Sequence, residues 1–260
     1  MTYITFTLNQ NQKIYFSVQN SSPDYNTIIA IIQTNIEIME NFFSSCVSQQ
    51  LEIVEDFNLK TPSFNIVDGI PKIYLCASEG NYWSQYVFQF SHELCHYFID
   101  YTNNQTSMST RNRDSWFEEI VCEVSSRFFL IKLSDADGLP LINYYLPSFK
   151  KYSIDRETNY KPFKIKLLSQ EHSEVLKRFR EEIINDSYAN SETRSLYNHV
   201  ANLLYPIFDN NTKLWSEVNL ISNFSDEKSF MNNLDEWKTN CQINDNKKSV
   251  EDIISLFSDK

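Results

Sequence analysis

Residues 92–96 read His-Glu-Leu-Cys-His. In an α-helix, side chains four residues apart lie on one face, so the imidazoles of His92 and His96 can address a single ion. A carboxylate directly after the first imidazole, Glu93, is then placed to act as a general base on a metal-activated water. A catalytic zinc takes three protein ligands and keeps one position open. The motif provides two ligands and the base, so the third ligand must come from another segment.

The helix that carries the motif is legible. Trp83, Val87, Phe90, Leu94, Tyr97 and Tyr101 recur at helical spacing after Asn81, a plausible cap, and His92 and His96 lie off that stripe. With Phe88 and Phe98 added, most of the helix surface is apolar, which predicts a central position in its domain. A polar stretch follows, and then a second helix from about Trp116 to Lys132. Ser115 and Glu118 have the spacing of a capping box, Ser115 as N-cap and Glu118 reaching back. That pairing gives Glu118 a structural task and leaves Glu119, with Glu123 one turn on along the same face. Cys95 is about 100° round its helix from His96, and both Cys95 and Cys122 read as packing residues.

Upstream, residues 2–8 and 13–18 alternate around Asn9-Gln10-Asn11 as a hairpin, and a long helix runs from about Tyr25 to Cys46. The runs SFNIV (63–67) and KIYLC (72–76) flank an Asp68-Gly69 turn and form a second hairpin, whose strand 72–76 is expected at an edge where an extended peptide can pair. Beyond Gly138-Leu139-Pro140 the pattern turns aromatic and basic. Helices are then predicted over about 168–185, 191–207, 212–222, 226–240 and 249–258, the last capped by Ser249 with Asp252. This reading gives an α+β core over residues 1–140, with a small antiparallel sheet and the HExxH helix, and a mostly helical portion over 141–260.

The order helix, hairpin, HExxH helix, loop, glutamate-bearing helix resembles the core of the gluzincin zinc metallopeptidases, which include the thermolysin-like enzymes and the aminopeptidases related to them. The stretch Trp116-Phe117-Glu118-Glu119-Ile120-Val121-Cys122-Glu123 is similar to the aminopeptidase pattern of a tryptophan, a zinc glutamate three residues later and another glutamate four beyond that. A similar order also occurs in the ImmA/IrrE-type peptidases, although no helix-turn-helix accompanies it here. The resemblance covers roughly residues 25–133. It implies a zincin-like fold, Zn2+ as cofactor, His92, His96 and Glu119 as metal ligands, with Glu118 and Glu123 the rivals of Glu119 for the third place, Glu93 as catalytic base, and a peptide or protein substrate. It also implies Glu123 as a support for His92, since a carboxylate accepting the distal N–H of a ligating imidazole fixes its tautomer. Gluzincins take their oxyanion donor from a later tyrosine or histidine, for which Tyr144, Tyr145, Tyr152, Tyr160, His172, Tyr197 and His199 are the candidates. The chain departs from the thermolysin-like pattern at Glu118, where an asparagine is usual, and lacks a glycine-containing exopeptidase motif. A metal-holding regulatory module that does not turn over is the alternative from another functional class.

Composition narrows the field further. Three glycines, each preceded by an acidic residue, cannot build a phosphate-cradling loop. A net charge of −11 repels a nucleic-acid backbone, and the basic residues between 150 and 180 read as a solvated face. No apolar run is long enough to cross a bilayer, so no membrane partner is expected. Five widely spaced cysteines without a CxxC pair and the absence of a signal-like start fit reduced thiols and a cytoplasmic location.

Overall fold

The computed structural model describes residues 3–9, 13–19, 25–47, 50–77, 83–101, 114–135, 146–159 and 191–258. The fold is mixed α+β, and the chain falls into two compact units. One comprises Met1–Met108 with Ser125–Ile154, the other Ser109–Val124 with Asp155–Lys260.

The first unit is built on five strands: β1 (Tyr3–Asn9), β2 (Ile14–Gln19), β3 (Glu52–Glu55), β4 (Ser63–Val67) and β5 (Ile70–Leu75). Their order is β1-β2-β3-β5-β4. Both expected hairpins form. In the second, Val67 pairs with Ile70 around Asp68 (φ 53°) and Gly69 (φ 77°), the two left-handed residues that a two-residue hairpin turn requires. The sheet is mixed rather than antiparallel, because β3 joins the hairpins by pairing parallel to both β2 and β5. That four-residue strand is too short to stand out by alternation alone. It also moves the edge: β5 lies between β3 and β4, so among the described residues the edge on this side belongs to β4, not to residues 72–76.

Helix α1 (Tyr25–Phe43) crosses from β2 to β3 and buries Ile28, Ile31, Ile32, Ile36 and Met39. These side chains recur at three and four residues, the stripe that a core-facing helix needs. The inner residues of the strands, Phe16, Val18, Ile53, Ile73 and Leu75, are likewise buried. Helix α2 (Trp83–His96) is buried on nearly every side, as its apolar surface predicts. A buried hydrogen bond from Asn35 Nδ2 to Ser91 Oγ, 2.8 Å, sets α2 against α1. At its end α2 loosens into a single π-helical turn, Tyr97–Tyr101.

Helix α3 (Ser115–Ser134) contributes its first half to the second unit and its second half to the first. In the first unit Ser125 Oγ donates to the carbonyl of Ser91 at 3.0 Å. Phe128 and Phe129 join Phe42, Phe43 and Phe98 in a ring cluster with centroids 4.4–6.0 Å apart. Helix α4 (Leu146–Asn159) completes this unit through Ile154; the sequence pattern had not announced it.

The second unit contains α5 (Ser191–Asn210), a 3₁₀ helix (Thr212–Asn223), α6 (Phe230–Asn240) and α7 (Asn244–Phe257). Trp116 and Phe117 at the start of α3 pack with Phe224, Phe230, Trp237 and Phe257 to form its aromatic core. Helix α7 begins five residues before Ser249, so that serine is helix interior and not a cap. The segment just before it is held by the Glu217 carboxylate, which accepts the N–H groups of Gln242 and Ile243 at 3.1 Å. The helix expected over 168–185 lies outside the described residues. Among the described residues no helix is long and apolar enough to cross a membrane.

Candidate metal centre

The HExxH residues occupy the last turn of α2. His92 is 6% exposed and Glu93 5%, whereas His96, at the junction with the π-helical turn, is partly exposed. The two imidazole rings stand with centroids 5.1 Å apart at 65°. Such an arrangement follows from i, i+4 spacing and lets ring nitrogens approach one point without stacking. A π-turn widens a helix by one residue per turn and is favoured where a side chain must be re-aimed. Here it begins at Tyr97, directly after the second histidine.

The carboxylate from the second segment arrives on α3. Ser125 is fixed to Ser91 of α2, while six residues earlier on α3 and five later on α2 stand Glu119 and His96. Ligand atoms of His92, His96 and Glu119 all lie within 4.8 Å of one another. Two imidazole nitrogens and one carboxylate oxygen are a donor set that suits a divalent zinc ion and leaves one position for water. At bond lengths of about 2.0–2.2 Å tetrahedral ligands stand about 3.5 Å apart, within reach of small side-chain rotations from this arrangement. The residues present thus fit the group that the sequence pattern implies.

Glu93 lies within electrostatic reach of the segment that follows β5. The Cys76 thiol just beyond β5 has its pKa raised, first by burial; a hydrogen bond with Gln89 opposes the rise and the charge of Glu93 adds to it. Gln89, one turn before Glu93, accepts the Cys76 N–H at 3.0 Å and so ties the end of β5 to α2. On the other flank, Phe64 of β4 packs edge-on against Tyr97 with centroids 5.9 Å apart. Strand β4, at the edge of the sheet among the described residues, therefore packs a side chain against the residue that follows His96.

Glu123 is buried, 3% exposed. Its Oε1 and the Nδ1 of His92 make no hydrogen bond, although both residues have other interactions. The start of α3 differs from its reading in sequence. Ser115 is the first helical residue and Asp114 precedes it, its carbonyl accepting the Phe117 N–H at 2.8 Å and its carboxylate the side-chain amide of Asn233 at 2.8 Å. Asp is as strong an N-cap residue as Ser, so the boundary shifts by one and Glu118 falls outside the capping-box position. Glu118 is found instead in a second convergence, with His96 and Cys122, whose ligand atoms also lie within 4.8 Å of one another. Cys122, expected from its position to be a packing residue, is thus also within reach of His96. The sequence signal for it is a thiol one helical turn after Glu118; the approach to His96 is not encoded in that spacing.

Of the oxyanion-donor candidates, Tyr144, Tyr145, Tyr160 and His172 lie outside the described residues, as does the side chain of His199. Tyr152 packs its ring on Phe88 with centroids 5.8 Å apart, and Tyr197 is 8% exposed. Comparison of the chain with protein-family models, with curated proteins and with solved structures finds no match.

Proposed function

We propose that this chain is a zinc-dependent peptidase of gluzincin type, in which His92, His96 and Glu119 hold the ion and Glu93 is the general base. The observation that carries the reading is the convergence of those three ligand groups from two helices within 4.8 Å, with a buried carboxylate in the same helical turn. Bound there, zinc supplies Lewis acidity, which acidifies a water and polarises a carbonyl. Glu93 takes the proton from the attacking water and returns it to the departing amine nitrogen, so the carboxylate ends the cycle as it began. Glu119 offsets part of the cation's charge, and Glu123 is the buried carboxylate that would steady His92 from behind. A peptide in extended form is a suitable substrate because the edge of β4 can add it as a further strand beside His96, with main-chain bonds giving register. In this reading residues 1–140 carry the chemistry and the helical portion over 141–260 is concerned with what is presented to it.

The test combines metal content with turnover. The purified chain is expected to hold one zinc, to cleave unfolded polypeptide, to lose activity to a chelator and to regain it with zinc. Glu93→Gln is expected to keep the zinc and lose the activity. A chain without stoichiometric zinc, or unchanged hydrolysis in Glu93→Gln, would refute the mechanism. Zinc without turnover in the native chain would favour the regulatory-module reading.

A further inference from the structure

Side chains of α3 reach His96 from two adjacent rows. Glu119 and Glu123 are one turn apart on one row, and Glu118 and Cys122 are one turn apart on the next, offset by about 100°. Ligand atoms of His96, Glu118 and Cys122 lie within the same 4.8 Å bound as those of His92, His96 and Glu119. His96 therefore belongs to both sets. A neutral imidazole has one acceptor nitrogen, so an ion held by one set removes His96 from the other.

The two sets differ in chemistry. Cys122 is fully buried, while Glu118 and His96 are partly exposed, so a cation can arrive past the carboxylate to a thiol already held in place by its helix. A thiolate selects softer cations than a carboxylate does. Together the thiolate and the Glu118 carboxylate offset the two charges of a divalent ion, which the first set, with one carboxylate, does not.

We propose that His96, Glu118 and Cys122 form a second site, for a soft divalent cation such as cadmium or zinc beyond the first equivalent, whose occupation withdraws His96 from the first set. The proposal rests on the reading of His92, His96 and Glu119 as the zinc site. On binding, the S–H bond of Cys122 breaks, its proton passes to solvent, and the sulfur electron pair forms the bond to the cation, with no change of oxidation state. Inhibition by such a cation then comes from the loss of a ligand, not from blocking the substrate's position.

Cadmium is the probe, added to the full metal-free chain and followed by the ultraviolet sulfur-to-cadmium charge-transfer absorption. The native chain and His92→Ala are both expected to develop the band with one cadmium per chain. Cys122→Ser is expected to lose it, and Glu118→Gln to bind cadmium about tenfold or more weakly. An unchanged band and affinity in either Cys122→Ser or Glu118→Gln overturns the second site. Should serine at this buried position prevent folding, Glu118→Gln, at a partly exposed residue, decides the question by itself. Zinc content separates the two readings. A His92→Ala chain that keeps its zinc and its hydrolysis refutes the first set, whereas a band that depends on Cys122 and Glu118 supports the second set whatever becomes of the zinc.

Discussion

Glu93 and Glu217 are buried to nearly the same degree, 5% and 7% exposed, and the chain uses them differently. Glu217, in the 3₁₀ helix, accepts the backbone N–H groups of Gln242 and Ile243 at 3.1–3.2 Å, and its own carbonyl accepts the indole N–H of Trp237 at 3.1 Å. Amide donors are fixed and exchange no proton on the timescale of turnover, so a carboxylate among them serves geometry. Glu93 stands in the turn between two imidazoles, on a helix whose next residues form a π-turn. Burial of a charge does not by itself identify chemistry; the kind of group arranged around it does.

The comparison is broken most severely at the ligands. His92→Ala or Glu119→Ala is expected to abolish stoichiometric zinc and, with it, detectable hydrolysis, as read by metal analysis of the purified variant. Glu217→Ala, which removes an equally buried side chain, is expected to keep both. Retained zinc in both ligand variants would place the ion elsewhere.

A finer division comes from replacing each carboxylate with its amide isostere. Glu93→Gln is expected to lower kcat by about 10²–10⁴-fold with zinc retained, the usual contribution of a general base. Glu217→Gln is expected to leave turnover per folded molecule unchanged. It should lower unfolding stability by about 1–3 kcal/mol, because the N–H groups of Gln242 and Ile243 lose a charged acceptor. Denaturant midpoints measured beside initial rates separate the two. A large rate loss in Glu217→Gln at unchanged stability would show that this division by donor type is wrong.

These contrasts also explain what could be read from residue order. The HExxH pair and its helix were legible because both obey the same four-residue period, and Asp68-Gly69 because a two-residue turn demands left-handed backbone that few residues tolerate. Glu119 was placed with His92 and His96 by a pattern over eight residues, and the fold brings it there. The role of Glu118 was misassigned because Asp114 and Ser115 are both strong caps, and one residue of helix start decides which carboxylate reaches back. β3 was missed because four residues give too little alternation, and missing it put the sheet edge on the wrong strand. The hydrogen bond from the Gln242 N–H to Glu217 joins residues 25 apart, a contact that no local period encodes.

The smallest effect is expected where water shares the pair. Lys72 of β5 donates to Glu52 of β3 at 2.7 Å, across two parallel strands, with both side chains partly exposed. That hydrogen bond raises the pKa of Lys72 above the ordinary lysine value, against an opposing effect of burial. A raised folded-state pKa stabilises the protein fully below the ordinary lysine value and ceases to do so as pH climbs through the raised one. The pair is open to solvent and salt, so its worth is below about 1 kcal/mol. Lys72→Met should therefore lower stability by less than Glu217→Gln does, and only at pH below the lysine range; the two chains should converge in stability in alkaline buffer. A loss in Lys72→Met as large as in Glu217→Gln, or one that persists unchanged at alkaline pH, would mean that the cost comes from the packing of the lysine stem on the sheet and not from its charge.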